Sequence, residues 1–183
     1  VNMNVNEVVA NRATELLGGK LGEYICHPND HVNKSQSTND VIPTAGKLTV
    51  IELSTSLINQ TQRLIDSLDK KAIEFDGILK MGRTQLEDAV PIRLGQEFSA
   101  YSSSIKRCLN LYKQALTQMY TVNLGGTAIG TALNADKYYL NNITDELSRT
   151  VGYDLVQAEN LIDSTQNIDS FVYVSGALKT LAI

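Results

Sequence analysis

Apolar residues recur with helical spacing over most of this chain, which predicts an all-α protein. Within residues 5–17 the apolar side chains step by three or four positions, and Gly18-Gly19 follows them as a stop signal. Further helices are predicted over four segments: residues 44–75, 92–122, 137–151, and from about 158 to the end of the sequence. The expected fold is therefore a bundle of long helices.

The clearest period lies in the predicted helix 92–122, where apolar positions alternate in steps of four and three. Eight residues form this heptad seam: Leu94, Phe98, Tyr101, Ile105, Cys108, Tyr112, Ala115 and Met119. Such a helix would be roughly 45 Å long and needs partner helices along its length. Because Leu109, Leu116 and Val122 make its flanks apolar as well, we expect partners from neighbouring subunits in addition to those within the chain.

Three polar segments interrupt the helices. Residues 20–43 form a polar connection, and residues 76–91 have a polar centre that predicts a short irregular β-hairpin between the two long helices. Residues 123–136 are rich in Gly and Thr. They contain neither a P-loop motif nor G-x-G-x-x-G, so the favoured interpretation is a tight turn between helices.

Composition narrows the class of protein. The 183 residues are 43% hydrophobic and 20% charged, with a net charge of −4, which is ordinary for a globular chain. Lys and Arg form no basic face, so no nucleic-acid partner is expected. No apolar run approaches the ~20 residues that span a bilayer, so no membrane partner is expected either. Two distant cysteines and no signal-peptide pattern favour a cytoplasmic location.

The two ends of the sequence resemble cut ends. It starts at Val1 inside a helical pattern, and it stops at Ile183 on an apolar run without a helix stop signal. We therefore expect the sequence to be an internal piece of a longer protein.

The densest polar stretch is HPNDHVNKSQSTND, residues 27–40, at the mouth of the second predicted helix. Ser37, Thr38 and Asn39 offer hydroxyl and amide donors there, and a helix N-terminus adds backbone N–H groups and a positive dipole. That combination suits a small carboxylate. The same residue types also favour a plain N-cap, although a cap needs one residue and not fourteen.

A metal site is not expected in this stretch, and no cofactor is predicted. His27 and His31 are four residues apart with Asp30 between them, which superficially resembles zinc-binding spacing on a helix. Pro28 interrupts any helix at this point, and the glutamate of the H-E-x-x-H motif is absent.

The second candidate segment is GRTQLEDAVP, residues 82–91, which includes Arg83, Thr84 and Gln85. Taken alone, this segment is typical of a polar hairpin tip. Binding groups are nevertheless common on loops that rigid helices hold in place. Three polar loops on one helical bundle, with no basic or aromatic surface for a polymer, indicate a small polar substrate.

Four segments together are similar to the aspartase/fumarase superfamily: VNMNVNEVVANRA, HPNDHVNKSQSTNDVIPTA, GRTQLEDAVPIRLGQEF and NLGGTAIGTALN. They occur in the family's order and spacing over essentially the whole chain, and the likeness is greatest to the aspartate ammonia-lyase branch. The resemblance implies a homotetramer with a core of long helices and active sites shared between subunits. It also implies that residues 1–43 end an N-terminal domain and that residues 44–183 belong to the central helical domain.

The resemblance also implies roles for individual residues. Ser37 and Thr38 would face the β-carboxylate of a dicarboxylate substrate, and Asn39 would lie near its amino group. Thr84 would contact the side of the leaving group, next to Gln85. A secondary anion site of uncertain role would contain His27, Asn29 and Asp30.

Gln85 separates two branches of the family, because fumarase-like members usually carry His at this position. A departing ammonium needs no protonation, so a non-titrating Gln suffices for an ammonia-lyase. The resemblance therefore implies a carbon–nitrogen lyase that converts L-aspartate to fumarate and ammonia. Two alternatives stay open: a class II fumarase and a non-catalytic helical scaffold for oligomerisation.

The sequence departs from the family pattern in three places. Glu87 stands where Gln is usual and adds a negative charge near the site. The family's catalytic Ser lies in a later flexible loop that has no counterpart within these 183 residues, and a Thr expected just before VNMN is also missing. We therefore predict no catalytic base in this chain and no activity for the chain on its own.

Overall fold

The computed structural model describes every residue from Val1 to Ile183, and most of them lie in helices, which confirms the all-α class. The helices are α1 (Asn2–Leu16), α2 (Thr38–Glu74), α3 (Leu94–Leu116), α4 (Lys137–Val151), α5 (Leu161–Gln166) and α6 (Asp169–Ala182). The strands are β1 (Leu79–Thr84), β2 (Glu87–Arg93), β3 (Thr121–Val122) and β4 (Val156–Gln157). A π-helical turn (Pro28–Val32) and a 3-10 turn (Thr117–Tyr120) complete the regular structure.

The chain folds into two compact units, each with its own buried residues. Unit 1 comprises Val1–Val50 and Met119–Asp169, and unit 2 comprises Ile51–Gln118 and Ser170–Ile183. The helix α2 therefore contributes its first part to unit 1 and its second part to unit 2. The predicted domain boundary between residues 43 and 44 concerns a longer protein and stays a prediction.

The hairpin between α2 and α3 confirms the prediction of an irregular β-hairpin between two long helices. Strands β1 and β2 pair antiparallel from Leu79 opposite Arg93 to Thr84 opposite Glu87, with an irregularity between Met81 and Arg83. An antiparallel pair joined by a two-residue turn is the shortest connection that reverses the chain.

Helix boundaries agree with the sequence prediction where the signals are local, and they differ elsewhere. Helix α4 spans the predicted residues because Asp136 caps its start through two backbone N–H groups and Gly152 ends it at a positive φ of 73°. The single last helix predicted from about residue 158 was wrong. Two helices, α5 and α6, occupy this segment, with extended backbone at Asn167 between them.

In unit 1, helix α1 buries a mainly polar face. Its buried residues are Asn2, Asn6, Ala10 and Thr14, which lie one turn apart along one face. The Asn33 Oδ1 atom accepts hydrogen bonds from the side chains of both asparagines, at 3.2 and 2.8 Å. The apolar residues that define the helical period of this segment, such as Val8, are exposed in the single chain. They form an apolar face that nothing within the chain covers.

In unit 2, the heptad seam on α3 is only partly covered. Tyr112 and Ala115 are buried, whereas Ile105 and Cys108 are half-buried and Tyr101 is 49% exposed. The chain thus buries the C-terminal end of the seam by its own packing and leaves the apolar surface near Tyr101 exposed. That remainder agrees with the predicted packing between subunits, which itself stays a prediction.

The longest helix tests the expectation that no segment could span a membrane. By length and composition alone, the 37-residue helix α2 is long and apolar enough to cross a membrane, with a mean hydropathy of 1.2 in its most apolar window. Helices in the core of soluble proteins pass the same test. Lys47 and Glu52 lie in the first half of α2 and Arg63 and Asp66 in the second, and charges on a spanning helix are costly. The pattern favours a bundle helix.

Candidate functional site

The residues of the predicted secondary anion site lie together on the π-helical turn of unit 1. The His27 Nδ1 atom accepts hydrogen bonds from the backbone N–H groups of Asn29 (3.3 Å) and Asp30 (3.2 Å). The Nδ1 atom of His31 accepts from the His27 N–H at 2.8 Å. Both imidazoles therefore use Nδ1 within the turn, where His27 Nδ1 also lies 3.2 Å from the Asp30 carboxylate. Binding of an anion there stays a prediction.

A capping box closes the N-terminus of α2. Ser37 is the N-cap: its Oγ accepts from the Asn39 N–H at 3.2 Å, and its own N–H donates to the Asp40 carboxylate at 2.9 Å. The structural alternative raised by the sequence is thus present, and it uses Ser37 and Asp40. The Thr38 side chain is exposed at the first turn and takes no part in the cap. The helix end therefore has a capping function and still offers a hydroxyl to a ligand.

Asn39 presents one defined end of its amide to the surroundings. Its Nδ2 atom donates to the Ala128 carbonyl at 2.7 Å, so the Gly- and Thr-rich loop fixes the orientation of this side chain. The Oδ1 atom then remains as the acceptor end. An amide oxygen held next to a helix N-terminus can accept from an ammonium group while neighbouring donors hold a carboxylate.

Helix α2 begins at Thr38 and not near Thr44, although Pro43 lies inside it. Proline lacks the N–H that would bond the carbonyl four residues earlier, which here belongs to Asn39. The Asn123 Nδ2 atom donates to that carbonyl at 3.0 Å and also to Thr165 Oγ1 at 3.1 Å. A side chain distant in sequence therefore replaces the missing helical bond, and it extends the helix up to the candidate site.

Asp40 joins the helix start to the Gly- and Thr-rich loop. Its side chain is fully buried, and one oxygen accepts from Ser37 while the other accepts from the backbone N–H groups of Gly125 (3.2 Å) and Thr127 (3.0 Å). Burial raises the pKa of Asp40 above its ordinary value, and these backbone hydrogen bonds oppose the rise. We call this set of contacts the Asp40 clamp.

Tyr139 on α4 lies in the electrostatic field of Asp40. Burial, and to a lesser extent the charge of Asp40, raises the pKa of Tyr139 to about 12. Its hydroxyl is buried without a hydrogen-bond partner and borders an apolar pocket of about 270 Å³ between α2 and α4. No hydrogen bond joins this hydroxyl to Asp40, whose carboxylate is held by backbone donors.

Thr84 and Gln85 lie at the hairpin tip of unit 2. Thr84 ends β1 directly opposite Glu87, so the two side chains share one face of the hairpin. Thr84 also borders a pocket of about 470 Å³ lined in part by Arg83 and Glu97. Glu87 itself does not line this pocket.

The turn that carries Gln85 is conformationally strained. Gln85 and Leu86 have φ values of 49° and 65°, a left-handed region that suits Asn and Gly much better. Leu86 is also 95% exposed. A two-residue hairpin turn of type I′ requires a positive φ at both central residues, so this strain follows from the tight connection between β1 and β2.

Replacing Gln85 by Asn should therefore separate stability from activity in the full-length protein. Asn tolerates the left-handed conformation, so the free energy of unfolding should rise by a few tenths of a kcal/mol. The amide is one methylene shorter, so for the L-aspartate elimination that the family resemblance implies, kcat/KM should fall about tenfold or more. Thermal denaturation and steady-state rates measure the two effects.

The control is Leu86→Gly, which relieves strain in the same turn without shortening Gln85. This variant should keep the rate of the unmodified protein. Full activity of Gln85→Asn would exclude Gln85 from the site.

Two residues of the site geometry are not predicted from the sequence. Asp40 was visible only as part of a possible cap, and Asn123 only as part of a turn. The spacing Ser37-x-x-Asp40 is a capping-box signal and could have singled out Asp40, whereas no local signal marks Asn123. No group of three or more His, Cys, Asp or Glu side chains is arranged to hold a metal ion.

Comparison with known proteins gives one consistent family. A family model described as Lyase matches residues 1–183. The aspartate ammonia-lyase of Bacillus subtilis (strain 168) is 49% identical over 180 residues, which are 98% of this chain and 38% of that protein. The aspartate ammonia-lyase of Escherichia coli (strain K12) is 47% identical over 184 residues, 100% of this chain and 38% of that protein. The chain thus spans about two fifths of the length of these relatives.

Solved structures agree with this fold. A fumarate lyase:delta crystallin from Brucella melitensis, bound to cobalt, has a TM-score of 0.94 and 45% identity, and the match covers 99% of this chain and 40% of that one. A recombinant class II fumarase from Schistosoma mansoni has a TM-score of 0.84 and 37% identity, with coverage of 99% and 41%. Both resemble this chain over almost all its residues.

Proposed function

Because this chain belongs to the lyase family, we propose that the full-length protein converts L-aspartate to fumarate and ammonia. The observation that carries the proposal is the N-terminus of α2, where the Thr38 hydroxyl is exposed and the Asn39 amide is held with its oxygen free. The aspartate ammonia-lyases of Bacillus subtilis and Escherichia coli, at 49% and 47% identity, support this choice of substrate.

The reaction requires stabilisation of negative charge on the substrate. Loss of the Cβ proton of aspartate gives a dianionic aci-carboxylate, and ammonium then leaves Cα in an anti elimination. Hydroxyl donors from Ser37 and Thr38, together with the positive end of α2, would stabilise the charge on the β-carboxylate. Each such donor contributes on the order of 3 kcal/mol to transition-state stabilisation. The Asn39 oxygen would accept from the amino group.

Gln85 supports an ammonia-lyase over a hydratase. Its amide oxygen can accept from an ammonium leaving group but cannot protonate a departing hydroxide. The alternative, a class II fumarase, draws on the HPNDHVN stretch and on the likeness to the Schistosoma mansoni enzyme. Parallel rates with L-aspartate and L-malate separate the two activities.

We also propose a cytoplasmic homotetramer whose active sites combine residues from several subunits. Its support is the apolar surface left on α1 and α3, including Val8 at 69% and Tyr101 at 49% exposure. Subunit contacts would cover these side chains. In the second alternative, a scaffold without catalysis, the tetramer would form but would show no protection by aspartate or succinate.

The test compares the full-length protein with the isolated 183-residue chain. We expect the full-length protein to release fumarate from L-aspartate, followed by its ultraviolet absorbance, and to act far more slowly on L-malate. We expect no turnover by the isolated chain, because the family's base loop has no counterpart in its sequence. Preferred turnover of L-malate would replace the proposal by the hydratase alternative. Turnover by the isolated chain at the full-length rate would contradict the role assigned to the missing loop.

A further inference from the structure

We propose that Asp40 is a positioning residue of this lyase, whose carboxylate ties the N-terminus of α2 to the Gly- and Thr-rich loop and thereby sets where Thr38 and Asn39 face the substrate. The inference rests on the proposed function and deepens it. Asp40 itself is fully buried, so it acts through its neighbours and does not touch the substrate.

The two carboxylate oxygens of Asp40 have different tasks. Oδ1 accepts from the Ser37 N–H at 2.9 Å and completes the capping box. Oδ2 accepts from the N–H groups of Gly125 and Thr127, at 3.2 and 3.0 Å. A cap needs only the first of these. The second oxygen therefore has a role that capping does not explain, because it holds a loop 85 residues further along the chain.

Two residues of the loop form hydrogen bonds with Asn39, which would bind substrate. The Ala128 carbonyl accepts from Asn39 Nδ2 at 2.7 Å, and Asn123 Nδ2 donates to the Asn39 carbonyl at 3.0 Å. Asn39 is thus held at both its side chain and its backbone by the loop that Asp40 anchors. Asn123 is 1% exposed, so this support is rigid and buried.

The consequence concerns the substrate-binding geometry more than the fold. The Thr38 and Asn39 side chains are exposed. The direction of the Asn39 amide is set by its hydrogen bond to the loop. If the loop moved away, the Asn39 amide could turn and the helix end could shift relative to a bound dicarboxylate. A displacement of about 1 Å at a reacting group can lower a rate by about 100-fold.

Asp40→Asn in the full-length protein is the direct test. An Asn side chain has one oxygen in place of two, so it serves the cap or the loop but not both. We expect kcat/KM for L-aspartate to fall about 30- to 100-fold, with a raised KM as well as a lower kcat. Ser102→Ala is the matched control, because Ser102 is equally buried and loses a hydrogen bond to Asp69 in unit 2. It should lower the melting temperature and leave both kinetic constants unchanged.

A second variant keeps the test decisive if Asp40→Asn does not fold. Asn123→Ala removes the donor to the Asn39 carbonyl and should lower kcat/KM about tenfold. Unchanged kinetic constants in the folded variants would overturn the positioning role and leave Asp40 a capping residue. Absence of L-aspartate turnover by the unmodified protein would instead overturn the proposed function, and this inference with it.

Discussion

Replacing Thr38 by Val in the full-length protein is expected to lower kcat/KM for L-aspartate about 100- to 1,000-fold. Valine keeps the branched shape and removes only the hydroxyl. In the proposed reaction this hydroxyl donates to the β-carboxylate as charge develops on it, and removal of one such donor has this magnitude in enzymes that stabilise an oxyanion. Because Thr38 is exposed, the free energy of unfolding should change by less than about 0.5 kcal/mol.

The control for this substitution lies on the same helix. Thr49 is exposed to solvent, and its hydroxyl bonds the Ala45 carbonyl at 2.8 Å. Thr49→Val therefore makes the same chemical change without removing a proposed substrate contact, and it should retain the rate of the unmodified protein. Equal rates for Thr38→Val and Thr49→Val would show that the Thr38 hydroxyl does not stabilise the transition state.

Replacing Gly130 by Ala is expected to destabilise unit 1 by about 3 kcal/mol or more, from two effects that add. Gly130 has a φ of +88°, which costs an L-residue with a side chain roughly 1–2 kcal/mol. The new Cβ would also lie 2.4 Å from the Ile162 Cα at the start of α5, too close for any real contact. Because the obstacle is backbone, the loop or α5 must move. Thermal denaturation should show a midpoint lower by several degrees.

Gly152 allows the two effects to be separated. It has a similar φ of +73°, but a Cβ there would meet nothing within 4 Å. Gly152→Ala should therefore cost only the conformational strain, about 1 kcal/mol. If both variants lost the same stability, the close approach of Gly130 to α5 would be excluded.

Much of the helical architecture could be predicted because its signals are local. The boundaries of α4 follow from Asp136 at one end and Gly152 at the other, and both act within a few residues. The start of α2 could not be predicted in this way. It depends on Asn123, which bonds a carbonyl 84 residues earlier in the chain, and periodicity carries no information about such a partner.

Periodicity also identifies a helix without identifying the side that the chain buries. For α1 the apolar positions were read correctly as helical, yet Asn6 and Thr14 are the buried ones. The reason is that Asn33 supplies an acceptor for the inward face, while the apolar face has no partner within this chain. In the last segment, the extended backbone at Asn167 divides the single predicted helix into α5 and α6.

The same difference between local signals and partners distant in sequence applies to the candidate site. Ser37, Thr38 and Asn39 were singled out in a polar stretch before a predicted helix, and Thr84 and Gln85 in a polar break between two predicted helices. The family resemblance then implied their roles. Their assignment to substrate stays a prediction. The Asp40 clamp could not be found, because its donors Gly125 and Thr127 are backbone groups whose side chains give no sign of the contact.

In the proposed function, the N-terminus of α2 holds one carboxylate of a four-carbon dicarboxylate, and the other residue roles depend on this contact. A crystal structure of the full-length protein with bound succinate measures this directly. We predict a carboxylate oxygen within about 3 Å of the Thr38 hydroxyl, a hydrogen-bond distance, with the Asn39 amide still bonded to the Ala128 carbonyl. Succinate bound at another place, with Thr38 exposed only to solvent, would contradict the proposed binding mode.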